Sequence, residues 1–198
     1  MTKLLLAVVF CTAFFTAFSQ LQKGQLLAGG SSYFSSKKLN DVNTRKETDF
    51  VFAPNAGFFL MDKFAGGVKV NISFYKLINN VSEEGYYRIN SQALAPFLRY
   101  YFLSPEQKIN FFVDASYFYG RSQVKSHSGD PQEPEPTWYS KQTEKGYSLS
   151  AGPALFLTPS IALELNASYR HTKYKDFVTN TSWMTGIGFQ IHLGNAKR

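Results

Sequence analysis

Few residues of this chain could carry covalent chemistry. It has three histidines and one cysteine in 198 residues. His127 lies beside Ser126, Ser128 and Asp130, His171 shortly precedes Asp176, and His192 stands near the end of the chain. A hydroxyl, an imidazole and a carboxylate can together form an activated nucleophile. His171 is the best placed of the three, yet no GxSxG-type motif accompanies any of them. The sequence therefore points to no catalytic residue, no metal site and no cofactor. A second set of charges is more informative. Lys69, Arg99, Asp114, Glu164 and Arg170 each interrupt the small-residue side of a segment whose other side is apolar. Unpaired charges on an enclosed face are costly, so Arg99 is expected to pair with Asp114, Glu164 or both. Its planar fork suits two carboxylates at once.

The segments that position these charges are extended. Ile109 to Arg121 places Ile109, Phe111, Val113, Ala115, Tyr117 and Tyr119 on one parity, with Asp114 on the other. Side chains of a strand alternate between its two faces. Val68, Val70, Ile72 and Phe74 alternate with Lys69, Asn71 and Ser73 in the same way. Leu98 opposes Arg99, and Leu163 and Leu165 oppose Glu164. Eight such runs are legible, at 25–34, 48–60, 64–75, 86–103, 109–121, 145–157, 161–170 and 181–193. Pro54 is expected to disturb its ladder locally.

Connections between these runs alternate long and short. Short polar reversals stand at Met61-Asp62-Lys63, Ser104 to Lys108 and Thr158-Pro159-Ser160. Longer ones cover 35–47, 76–85, 122–144 and 171–180. The longest carries Trp138 and Tyr139, for which two readings stand open: an exposed contact point for an external partner, or a fold back onto the rim. Outer-membrane barrels have even strand numbers, short turns at the periplasmic end and longer loops outside. A tilted spanning strand needs ~9–11 residues, and closure leaves no unpaired edge in lipid. An apolar parity toward lipid and a polar parity inward is the arrangement expected of these strands. A soluble ligand-binding barrel of the lipocalin type would reverse it.

Composition agrees with a lipid-facing wall. Aromatics are 17% of the chain and charged residues only 18%, below the ~25% charged of an ordinary soluble domain. Residues 1–19, MTKLLLAVVFCTAFFTAFS, have Lys3, an apolar run and small residues at the end. They read as a secretory signal peptide cleaved before Gln20, leaving 20–198 as one barrel domain. Cys11 lies in the signal, so the mature chain is expected to hold no disulfide, thiolate metal site or cysteine nucleophile. The net charge is +7, with the cations concentrated in the polar connections. No basic helix or aromatic–basic motif points to nucleic acid; anionic lipid headgroups and solvent are the expected neighbours.

The segments QLQKGQLLAGGSSYFSS, FAPNAGFFLMDKFAGGVKV, APFLRYYFL and GPALFLTPSIALELNASY resemble small outer-membrane β-barrel proteins of Bacteroidetes-type Gram-negative bacteria. The plan is similar to that of OmpX- and OmpA-type barrels, and the likeness spans about the whole mature chain. It implies an all-β, eight-stranded antiparallel up-and-down transmembrane barrel with both termini in the periplasm. Lipid and lipopolysaccharide of the outer membrane would surround it, and its loops would meet any extracellular partner. The role implied is structural, adhesive or interactive, without catalysis. Small barrels that modify lipid A acyl chains are the enzymatic alternative.

Overall fold

The structure is a computed structural model that describes residues 21–40, 44–79, 86–127, 138–174 and 179–194. The segment expected to be a signal peptide, Asp176 and the residues after Gly194 lie outside the described residues. Eight strands run in chain order: β1 (Leu26–Asn40), β2 (Thr44–Met61), β3 (Phe64–Asn79), β4 (Tyr86–Tyr101), β5 (Ile109–His127), β6 (Trp138–Thr158), β7 (Ile161–Tyr174) and β8 (Asn180–Leu193). Every strand pairs antiparallel with its neighbours, and β8 pairs with β1, which closes the barrel.

The alternating pattern fixes which face is which. Val68, Leu98, Val113 and Leu163 are between 41% and 52% exposed, whereas Arg99 is 2% and Glu164 0% exposed. The greasy side therefore faces out, the reverse of a lipocalin-type arrangement. Outward aromatics collect into two girdles. Register aligns Phe34, Phe50 and Phe74 on β1–β3, Tyr117 with Tyr147, and Tyr169 with Trp183. At the other end, Phe58, Tyr100, Phe111 and Phe189 are exposed. Aromatic rings at both edges of an apolar band are the expected dress of a membrane-spanning wall.

The strands overshoot that band at one end. Their upper ends run through much of what the sequence presents as long connections: β5 continues to His127 and β6 begins at Trp138. Period-two alternation persists there, as in Ser122 and Val124 buried on the inner side of β5. Polar residues conceal it, because above the girdle the outer face meets water rather than lipid while the buried inner face carries polar side chains as well.

Each outward proline leaves a gap in one ladder. Pairing of β2 with β3 passes from Phe52↔Ile72 to Asn55↔Lys69, skipping Pro54. Pro96 is likewise skipped between β4 and β5, and Pro153 between β6 and β7. The register does not shift across these gaps, because Pro lacks only the one N–H donor. Close strand approach within the β6–β7 gap depends on glycine: a Cβ at Gly152 would stand 1.7 Å from the Leu165 carbonyl oxygen.

The lumen is filled in layers. At the end carrying the short turns, Leu21, Leu27, Phe59, Tyr101, Phe112 and Phe156 form an apolar cluster. The N-terminal segment ties across this mouth: Gly24 N–H donates to the Phe59 carbonyl at 2.8 Å, and Lys63 N–H to the Leu21 carbonyl at 2.8 Å. A second apolar level holds Tyr33, Val51, Ala53 and Met184, with Ala93, Ala95 and Phe118 beside it.

Candidate functional site

The lower polar level lies above the aromatic plug and gathers four of the five charges singled out in the sequence. Arg99 on β4 is the pivot. Its Nε donates to Asp114 Oδ2 at 3.1 Å and its Nη1 to Glu164 Oε1 at 2.8 Å. Asp114 also receives the Lys69 ammonium. Two cations thus face two carboxylates, and the quartet is neutral when all four are ionised. Strand register explains the meeting: Arg99 stands directly opposite Asp114 across β4–β5, while Glu164 reaches in from β7.

Surrounding groups complete the cage. Tyr101 Oη donates to Glu164 Oε1 at 3.3 Å, and Gln190 Nε2 to Glu164 Oε2 at 3.5 Å. Cation faces rest on rings: the Arg99 guanidinium lies 4.6 Å from the Phe112 centroid, and Lys69 Nζ 5.0 Å from that of Phe97. Such contacts add to a desolvated cation's stability. Removing one member would strand a buried charge, which costs about 3–5 kcal/mol.

Arg170 does not join this quartet. It belongs to an upper level, where its Nη2 is 3.8 Å from Glu144 Oε1 and its guanidinium lies 4.2 Å from the Phe118 centroid. Glu144 accepts from Ser122 Oγ at 2.8 Å, and Ser122 in turn accepts from Ser91 at 2.9 Å. Asp49, Tyr75 and Tyr174 line the same mouth with Arg170. Tyr174 lies well above the girdle residue Tyr169. Burial, reinforced by Glu144, pushes its phenol up, so it stays protonated. Glu144 is the functional residue that sequence reading missed. Extending the β6 alternation backwards from Ser150 through Ser148 and Gly146 would have placed it inward.

The remaining candidates scatter. Trp138 and Tyr139 open β6 rather than sitting in mid-loop; Tyr139 is 61% exposed and lies under the Lys125 ammonium, 5.3 Å from the ring centroid. His171 stacks on Tyr147 at 5.1 Å and exchanges a 3.2 Å hydrogen bond with Thr181 Oγ1. His192 is buried in the plug, 5.4 Å from Phe156 and 5.7 Å from Phe59 between ring centroids. His127 is the last residue of β5. The three histidines thus sit apart from one another on the fold.

Between the two polar levels, the lumen cavity lined by Lys69, Asn71, Ser148, Ser168 and Arg170 holds about 20 Å³. The cavity of the mouth below Tyr174 is of the same size. One such space accommodates about one water molecule.

A closed antiparallel barrel of eight strands, apolar outside, girdled by aromatics and charged within, is a transmembrane barrel of the outer-membrane class. Comparison agrees: the family described as outer membrane protein beta-barrel domain matches residues 3–195, and the chain belongs to it. Its place is accordingly the outer membrane. OprG of Pseudomonas aeruginosa is 12% identical, covers 90% of this chain and 100% of its own, and has a TM-score of 0.60. The N-terminal β-barrel domain of OprF from the same organism is 13% identical, covers 86% of this chain and 98% of its own, and has a TM-score of 0.47. Neisserial surface protein A is 13% identical, covers 85% and 96%, and has a TM-score of 0.43. No curated protein matches the chain.

Proposed function

We propose that this protein is a sealed outer-membrane barrel that acts through its outer surface rather than by conduction or catalysis. One observation carries the reading: the lumen is occupied by the Lys69–Asp114–Arg99–Glu164 quartet over an aromatic plug. Water-filled pores belong to barrels of many more strands. The five charges, Lys69, Arg99, Asp114, Glu164 and Arg170, fill and brace the interior, and Trp138 and Tyr139 offer contacts to an extracellular partner. Both termini lie in the periplasm, and the OmpX- and OmpA-like plan, with its Bacteroidetes-type sequence segments, supports an adhesive or envelope-bracing role. Outer-membrane lipid, lipopolysaccharide included, is its constant neighbour.

Three measurements test this. In planar bilayers the refolded protein is expected to give no stable ion conductance; steady channels would overturn the sealed reading. A broad-specificity protease added to intact cells is expected to cut between Ser122 and Glu144. Cleavage confined to Glu106 would invert the topology. Cells with and without the protein are expected to show the same lipid A acyl pattern, and a changed pattern would favour an enzyme at His171.

A further inference from the structure

The outward face above the upper girdle carries charge of one sign. Alternation directs Lys38 and Lys46 outward, and they stand directly opposite each other across β1–β2. Arg88 stands between Lys76 and Lys125. Lys145 stands opposite Lys173 across β6–β7. Like charges facing each other across a sheet destabilise it. Among the described residues, the carboxylates at this end, Glu47, Asp49 and Glu144, all lie on the inward parity. The opposite rim is mixed, with Lys23, Asp62, Lys63, Glu106 and Lys108 near the short turns. One leaflet is thus matched to anionic headgroups and the other is not.

Beneath one of these pairs, and on the same strands, the apolar wall is hollow. A groove of about 720 Å³ on the outward face is bordered by Leu98, Leu149, Tyr169 and Trp183, and its floor includes Ala115, Ala151 and Ala167. Register joins floor to rim: Ala151 pairs with Ala167 and Leu149 with Tyr169, and Tyr169 with Trp183. Two rows higher, Tyr119, Lys145 and Lys173 line up across three strands and, with Thr143 and Tyr174, border a second hollow of about 380 Å³. With the strand rise and tilt of a barrel, the lysines stand roughly 10 Å above the groove's upper edge. Acyl chain and phosphate of one lipid molecule span such a distance. Below Lys38 and Lys46 the wall is instead filled by Phe34, Phe50 and Phe74, with Phe50 stacked on Phe74 at 6.5 Å.

We propose that the outward face of β5–β8 binds a phosphorylated lipid A molecule of the outer leaflet, with a phosphate between Lys145 and Lys173 and an acyl chain on the Ala115–Ala151–Ala167 floor. The anion removes the repulsion between the paired lysines, and the alanines admit a chain that bulkier residues would exclude. This rests on the reading of outer-membrane lipid as a neighbour and adds a site, a stoichiometry and a sector of the wall.

Trp183 reports on the groove. In a Trp138→Phe background it is the remaining tryptophan, and bisphosphorylated lipid A with brominated acyl chains, titrated into phosphatidylcholine nanodiscs holding the full mature barrel, quenches it on binding. Lys145→Gln with Lys173→Gln is expected to weaken binding about thirtyfold, from the loss of two near-surface attractions. Lys38→Gln with Lys46→Gln is expected to change it less than about twofold, because those charges are solvated and screened. Ala151→Leu with Ala167→Leu is expected to weaken it with both lysines intact. Heat-modifiable migration confirms folding of each variant. Equal losses from the two lysine pairs, or no effect of filling the groove, would overturn the site and leave a general anionic attraction. If the parent barrel bound bisphosphorylated and dephosphorylated lipid A alike, the reading of a phosphorylated neighbour would fall, and the site with it.

Discussion

The two charged levels of the lumen use the same chemistry under different conditions. The lower one holds Arg99 against two carboxylates at 3.1 and 2.8 Å, with side chains 0–1% exposed. The upper one holds Arg170 at 3.8 Å from a single carboxylate, with its side chain 10% exposed. The lower level lies between two apolar layers, so its four charges depend on one another and on neighbouring side chains. The upper level opens toward the mouth, where solvent can take a partner's place. An ion pair that water can replace specifies little, whereas one that it cannot reach fixes the registers of β3, β4, β5 and β7 together. The lower level is therefore the structural lock, and the outer third of the barrel depends less on its own ion pair.

Breaking the lock should give the largest effect. Arg99→Ala leaves Asp114 with only Lys69 and Glu164 with neutral partners, and is expected to cost about 3–5 kcal/mol, read as a shifted urea midpoint for unfolding from lipid vesicles. Replacing Lys69, Arg99, Asp114 and Glu164 together by Met, Met, Leu and Leu should recover most of that loss, since an apolar set leaves no orphaned charge. A quadruple variant as unstable as Arg99→Ala would refute the assignment of the cost to stranded charge.

How much of this could be read from the chain depends on where polarity is informative. Within the apolar band, alternation is sharp because lipid tolerates no polar side chain, so Lys69, Arg99, Asp114 and Glu164 stand out against Val68, Leu98, Val113 and Leu163. Their convergence could be anticipated from chemistry, because unpaired charges in an interior this narrow are costly. Above the girdle that contrast disappears. Glu144 and Gln142 face inward and Lys141 and Lys145 outward, yet all are polar, so the continuation of β6 down from Trp138 resembled loop. Arg170 meets the same limit: its inward parity is legible in the sequence, its height is not. Height follows from the stagger of a closed barrel, which no single segment records.

The upper level should respond more weakly. Glu144→Gln removes the charge facing Arg170 and keeps an acceptor for Ser122, and is expected to cost about 1–3 kcal/mol. Hydrogen exchange should localise the loosening to the outer ends of β5, β6 and β7. A loss as large as that of Arg99→Ala, or one spread over the whole barrel, would show that the two levels are a single network and that the contrast between them is false.

A bond on the boundary sharpens the comparison further. Ser116 Oγ and Ser148 Oγ are 2.7 Å apart, one alternation above Asp114 and between the two levels. Ser116→Ala should cost about 1 kcal/mol and leave both ionic sets standing. Coupling measured by a double-mutant cycle with Arg99→Ala should be larger than coupling with Glu144→Gln, because neighbours that share a rigid layer are the ones whose effects fail to add. Equal coupling to both would place the boundary elsewhere.

The smallest effect should be farthest out. Tyr139 is exposed at the start of β6, and its ring lies 5.3 Å from the Lys125 ammonium. Tyr139→Ala is expected to shift stability within about 0.5 kcal/mol, in the same vesicle assay that registers Arg99→Ala as severe. The value of this substitution lies in its silence on folding. On the proposed reading, a ring this large and this exposed serves contacts outside the barrel. Loss of cell-surface binding by Tyr139→Ala with an unchanged unfolding midpoint would separate recognition from architecture. A destabilisation comparable to Glu144→Gln would instead make the outer strand ends part of the lock, and the division of the molecule into a locked base and a less dependent rim would have to be given up.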